Sequence, residues 1–263
     1  MIFWGTKEVL RGLGFAADFC PLCRDVRAFE IKRVGMAGHV YGLSLGEGEL
    51  SGYIRTCTVC RSDLNATPDV YRKLSDKPLA MSELAALTYP NLKESYAKRL
   101  AVEATVKTSA AQVSQADRSA LIREPFVLLS PKVEQRFASL NLDAATLLTA
   151  VIAPFVIAFA ADHAALVLPA AAAKAVNAIT IATFIAWIIG LVVLHSRAAD
   201  NYMRKEIFPV IVPALLPLKP TPQELDAVLK EMKKLGRKIG AKLRLRALLA
   251  AMRAPPPGKG VRS

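Results

Sequence analysis

Cys20-Pro21-Leu22-Cys23 and Cys57-Thr58-Val59-Cys60 use every cysteine of this 263-residue chain in two Cys-x-x-Cys pairs. Two-residue spacing lets both thiolates of a pair curl around one ion, and two pairs supply the four ligands of a closed tetrahedral zinc site. A closed site keeps no position for water, so it staples a fold and does not activate a substrate. The pairs are separated by residues 24–56, more than the usual ~15–20. Two loosely alternating runs, Val26 to Val34 and His39 to Leu45, fill the gap, followed by the turn Gly46-Glu47-Gly48-Glu49 and a short strand from Gly52 to Arg55. Two knuckles at the ends of a small antiparallel sheet describe a zinc ribbon. A sheet of this size buries too little apolar surface to stand alone, which makes a metal staple physically reasonable.

Two other readings of the cysteines compete. Disulfides need an oxidising compartment, and Met1-Ile2-Phe3-Trp4 opens no cleavable signal peptide. A thioredoxin-like redox site needs one Cys-x-x-Cys in a βαβ setting, and here two pairs lie outside such a pattern. His39 reads as a strand or surface histidine beside four available thiolates.

Working outward, the apolar content of 53% and mean hydropathy of +0.31 concentrate in two runs, Ala144 to Ala161 and Val176 to Leu194. Each is about 18–19 residues, which nearly spans a hydrocarbon core of ~30 Å. Nothing else in the chain is long enough to wrap such helices as a soluble core, so a transmembrane hairpin is expected. Lys132 and Arg136 precede it, Arg197, Arg204 and Lys205 follow it, and only Lys174 lies between. Excess positive charge marks the cytoplasmic side, so both termini are expected there. Asp162 and His163 read as a helix end near the headgroups, with an ion-path or proton-relay role as the sharper possibility. Ala178, Ala182, Ala186 and Gly190 recur every four residues, a small face that packs within the hairpin or joins a homodimer.

The segments on either side are polar and helical. Helix starts are expected at Thr67-Pro68, Ser82 and Pro90, and a helix from about Gln115 to Arg123 should stop before Pro125. Pro209, Pro213, Pro217 and Pro220 argue for an extended juxtamembrane run. Thr221-Pro222-Gln223-Glu224 reads as a capping box, opening a helix with Leu225, Val228, Leu229, Met232, Leu235, Ile239 and Leu243 on one face and lysines and arginines on the other. Residues 196–263 hold 15 Lys and Arg against 5 acids, hence +10 of the chain's +13. That tail suits a lipid surface, a protein partner or, less well without aromatic readers, nucleic acid. No Gly-rich phosphate loop, His-Glu-x-x-His or Gly-x-Ser-x-Gly motif occurs.

The stretch from Gly14 to Cys23, with His39-Val40-Tyr41 and the second knuckle, resembles bacterial membrane proteins with an N-terminal four-cysteine zinc-ribbon domain, a family of unassigned function. That resemblance implies zinc at the four cysteines and no catalytic residues. The expected class is α+β: zinc ribbon 1–65, helical cytoplasmic region 66–143, hairpin 144–195, Pro-rich segment 196–220, basic amphipathic helix 221–253 and disordered tail 254–263. The expected function is a non-enzymatic, membrane-anchored scaffold with structural Zn2+ at Cys20, Cys23, Cys57 and Cys60. A membrane-tethered nucleic-acid regulator, or a membrane enzyme or transporter component using Asp162 and His163, are the other readings.

Overall fold

The computed structural model describes residues 4–40, 43–44, 46–138, 144–167 and 172–254. An antiparallel sheet opens the chain: β1 (Trp4–Cys20), β2 (Asp25–Val40), β3 (Leu43–Ser44), β4 (Glu49–Cys57) and β5 (Asp63–Asn65), in the order β1-β2-β4-β5 with β3 paired to the end of β2. Strand β2 takes in the run Val26 to Val34 and continues to Val40, so that the second expected run, from His39, begins inside it and leaves only β3, while β4 extends the short strand expected at Gly52 to Arg55 in both directions. Strand β1 does not announce itself. Its last five residues are buried and its first half is exposed, so no period-2 pattern is written into it. Near its knuckle end the outer edge of β1 is covered: Phe15 and Ser75 exchange backbone hydrogen bonds of 2.7 and 2.9 Å, and the Ala17 N–H donates to Thr88 Oγ1 at 3.0 Å.

The helical part begins with α1 (Met81–Thr88), α2 (Leu92–Ser95) and α3 (Ala97–Ser109), then α4 (Gln115–Ala138). Helix α4 runs through Pro125 and Pro131 instead of stopping before the first. Two interior prolines cost roughly 6 kcal/mol. Leu121, Ile122, Phe126, Leu129 and Val133 are buried on one face, and at roughly 1.5–3 kcal/mol each their burial outweighs that cost. The proline-rich segment is likewise helical, not extended. A π-turn over Met203–Ile207 leads into α7 (Phe208–Leu215), whose Phe208, Val210, Ile211, Ala214 and Leu215 are buried. The wider turn carries the chain past Pro209, which has no N–H to give to a regular helix.

The capping box is present: Thr221 Oγ1 accepts from the Glu224 N–H at 3.2 Å and Glu224 Oε2 accepts from the Thr221 N–H at 2.7 Å. The helix it opens, however, breaks into α8 (Pro222–Lys234), α9 (Lys238–Lys242) and α10 (Leu245–Arg253). Gly236 at φ +72° ends α8, and Leu235, expected in the apolar stripe, is exposed. The remaining stripe (Leu225, Val228, Leu229, Met232, Ile239, Leu243) is buried in one apolar core with α4, α7, the sheet residues Ala16, Phe29 and Ile31, and Leu22 of the first knuckle. As far as Ala254, the basic tail is therefore docked on its own chain.

Between these parts lie α5 (Ala144–Val167) and α6 (Ala173–Tyr202), packed along each other. Among the described residues one stretch, Ala175–Val193 of α6, is long and apolar enough to cross a membrane, and none of it is buried inside the chain. The expected pair of spans is met only in part: the described apolar stretch of α5, Val151–His163, is shorter. Ala178, Ala182 and Ala186 are exposed and Gly190 is half-buried, as are Val176, Thr180, Phe184, Trp187 and Leu191, so the first three members of the small-residue face point away from α5. The terminal run from Pro255 lies outside the described residues.

Candidate metal centre

Each knuckle is a strand end followed by a tight turn. Strand β1 ends at Cys20 and β2 begins after Cys23; β4 ends at Cys57 and β5 follows Cys60. The second knuckle is closed by Arg61 N–H to Cys57 O at 3.0 Å and Cys57 N–H to Ser62 O at 3.1 Å, and hangs on β2 through Thr58 N–H and Oγ1 to Ala28 O, both 3.0 Å. In each the residue after the second cysteine is left-handed: Arg24 at φ 56° and Arg61 at φ 57°. The two knuckles thus turn alike and face each other.

All four Sγ atoms lie within 4.8 Å of one another, with Cys20–Cys60 and Cys23–Cys57 at 3.8 Å. A tetrahedron with metal–sulfur bonds of about 2.3 Å has sulfur–sulfur edges of about 3.8 Å. The cysteines are free, with no disulfide among them, and the Cys23 N–H donates to Cys20 Sγ at 3.4 Å, a contact that suits a bound thiolate. The donor set fits a metal ion, zinc or iron by its four sulfurs. His39 pairs with Gly5 at the far end of the hairpin and is no ligand here.

Four thiols this close cannot all ionise unaided. Hydrogen bonds from Cys20 and Cys23 pull Cys57 far down and Cys60 down to about 7. Cys20 is pushed well up by its hydrogen bonds to Cys23, Cys57 and Cys60 and by burial. A bound dication removes the conflict by taking all four as thiolates.

Sequence reasoning missed what anchors the centre. Arg24, 5% exposed, donates from Nε to Glu103 Oε2 of α3 at 2.7 Å and from Nη1 to the Ala214 carbonyl of α7 at 3.2 Å. Glu103, 2% exposed, also accepts from Arg99 Nε at 3.0 Å. The residue that closes the first knuckle therefore ties it to two helices. The one sequence signal is the arginine at the same place after each knuckle. Beside it, buried Asp18 accepts from Arg55, from Tyr71 Oη at 2.6 Å and from the Phe19 N–H at 2.7 Å. Burial and the Asp18 charge push the Tyr71 hydroxyl up. The Asp18 carboxylate thus fixes β1 to β4.

Asp162 and His163 are exposed near the end of α5, with His163 stacked on Phe159 at 6.0 Å. Neither pairs with a charged residue among the described residues. Comparison with protein-family models, with curated proteins and with solved structures finds no match. What stands of the expected resemblance is the four-cysteine cluster at the N-terminal antiparallel sheet, consistent with a zinc ribbon.

Proposed function

We propose that this protein is a membrane-anchored zinc-ribbon scaffold, without chemistry at its metal, that presents its sheet to a protein partner in the cytoplasm. The closed set of four sulfurs carries the reading, since it leaves the ion no open position for substrate. Zinc held by Cys20, Cys23, Cys57 and Cys60 supplies folding energy to a sheet that buries little by itself. The side chains around it orient and shield those thiolates.

The membrane part is supported by large apolar side chains that face outward on both helices: Phe155 and Phe159 on α5, Ile179, Ile185 and Val192 on α6. A contiguous exposed apolar surface of this kind needs lipid or protein against it. The basic flanks on the outer ends of the two helices support a reading with the sheet and the tail on the cytoplasmic side of an inner membrane. The partner surface is suggested by the distal half of the β1–β2 hairpin. In the strand register Trp4 faces Val40, Glu8 faces Met36 and Leu10 faces Val34, and Leu43 faces Val40. Trp4, Leu10, Met36, Val40 and Leu43 therefore share one face, with Trp4 84% and Leu43 75% exposed.

Crosslinking from membranes tests the reading with wild type, Cys20→Ser and the surface pair Leu10→Glu with Met36→Glu. The account expects one specific partner, lost in both variants while the chain stays in the membrane. The same crosslinked set in all three would refute it. A chain removed from membranes by alkaline carbonate would refute the anchor.

A further inference from the structure

Where α6 leaves the apolar stretch, a cavity of about 360 Å³ opens between that helix end and the α9–α10 segment. Four cations line it: Arg204 from the π-turn, Lys242 from the end of α9, and Arg244 and Arg246 from the start of α10. Asp200 answers one of them, Arg244, at 3.4 Å. Lys242 lies over the Phe137 ring at 5.4 Å. Arg204 and Arg246 have no carboxylate partner among the described residues. Met203 and Phe208 give the cavity a buried apolar floor.

We propose that this cavity is a headgroup site for an anionic phospholipid, a reading that rests on the membrane placement of α6. The depth is within side-chain reach. Asp200 lies seven residues past Val193, about 10 Å along the helix, just outside a headgroup layer of roughly 5–8 Å. Arginine stems reach back over such a distance with their charge still in the polar layer. Composition supports it as well. Three uncompensated positive charges gathered in one concavity repel each other until an anion enters, and arginine forks suit a phosphate. The volume fits a headgroup and not a whole lipid. Nucleic acid is the poorer match, since a concave site for one phosphate lacks the extended stripe and stacking aromatics that a strand needs. The site is local, and so differs from a diffuse attraction of the basic tail to a negative leaflet.

The test uses the full chain in neutral-detergent micelles, with binding of phosphatidylglycerol measured against phosphatidylcholine. Two double variants remove the same charge: Arg204→Gln with Arg246→Gln in the cavity, and Lys233→Gln with Lys234→Gln on exposed α8. The cavity pair is expected to weaken phosphatidylglycerol binding roughly 30-fold and the α8 pair less than about threefold. Equal losses in both would overturn the site in favour of diffuse attraction. Displacement of the lipid by inorganic phosphate, or by single-stranded RNA, at matching concentration would overturn the lipid assignment. Carbonate extraction separates the two readings. A chain that washes off membranes yet keeps selective lipid binding refutes the anchor, whereas one that stays but does not discriminate refutes the site. All four side chains are exposed, so the variants are expected to fold.

Discussion

Replacing Arg24 by Met removes the cation of a buried pair whose partners are 5% and 2% exposed and 2.7 Å apart. Glu103 would then keep only Arg99, itself bonded to Glu124. Breaking a buried pair by deleting one member costs about 3–5 kcal/mol, because the other charge stays in low dielectric. The surviving Arg99 contact puts Arg24→Met near the lower end, about 3 kcal/mol. Glu103→Leu should cost more, about 4 kcal/mol, since Arg24 would be left with the Ala214 carbonyl alone. Both partners together, Arg24→Met with Glu103→Leu, should recover much of the loss, since an apolar pair of like volume often replaces a buried ion pair at little cost. Urea unfolding of the full chain in micelles gives the three values, and with a double variant costing about 1–3 kcal/mol the cycle gives a coupling energy of about 4–6 kcal/mol. Single losses below about 1 kcal/mol, or strict additivity, would refute the claim that Arg24 ties the first knuckle to the helices.

Other expectations follow from single contacts. A Cβ at Gly240 would lie 2.5 Å from the Lys233 nitrogen and 2.7 Å from the Leu229 carbonyl oxygen, so Gly240→Ala must push α9 off α8; the urea midpoint should fall by an amount worth about 1–3 kcal/mol, and an unchanged midpoint would contradict the packing. Arg118 holds Glu224 by two bonds of 2.7 and 3.1 Å and lowers its carboxyl from 4.5 to about 2. That contribution is fully present above pH ~4.5 and is lost as pH falls toward 2, about 1–2 kcal/mol after solvent screening; Glu224→Gln should flatten the slope of stability between these pH values, and an identical slope would dismiss the pair. Thr221→Ala removes the cap of α8 and should cost about 1 kcal/mol by the same unfolding assay.

What the sequence discloses divides by range. The knuckles and the capping box are written within three residues of chain, and both are found where they were read. Strand β1 was hidden because its outer half is exposed on both faces, so burial imposes no alternation on Trp4 to Gly12. The prolines at 125, 131, 209 and 213 mislead for the opposite reason: their local cost is visible, while the burial that overrides it comes from elements far along the chain. Leu235 fits the stripe by spacing, yet Gly236 ends the helix there and leaves it in solvent. The Arg24–Glu103 pair joins residues that no local pattern relates. The site itself was legible as ligands, and its anchoring was not.

The central claim is a closed four-sulfur zinc centre, and X-ray absorption with elemental analysis on the full chain, purified without added metal, tests it most directly. About one zinc per chain is expected, with four sulfur neighbours at about 2.3 Å and no nitrogen or oxygen in the shell. A shell containing light atoms, iron in place of zinc, or metal-free chain with its cysteines in disulfides would contradict it.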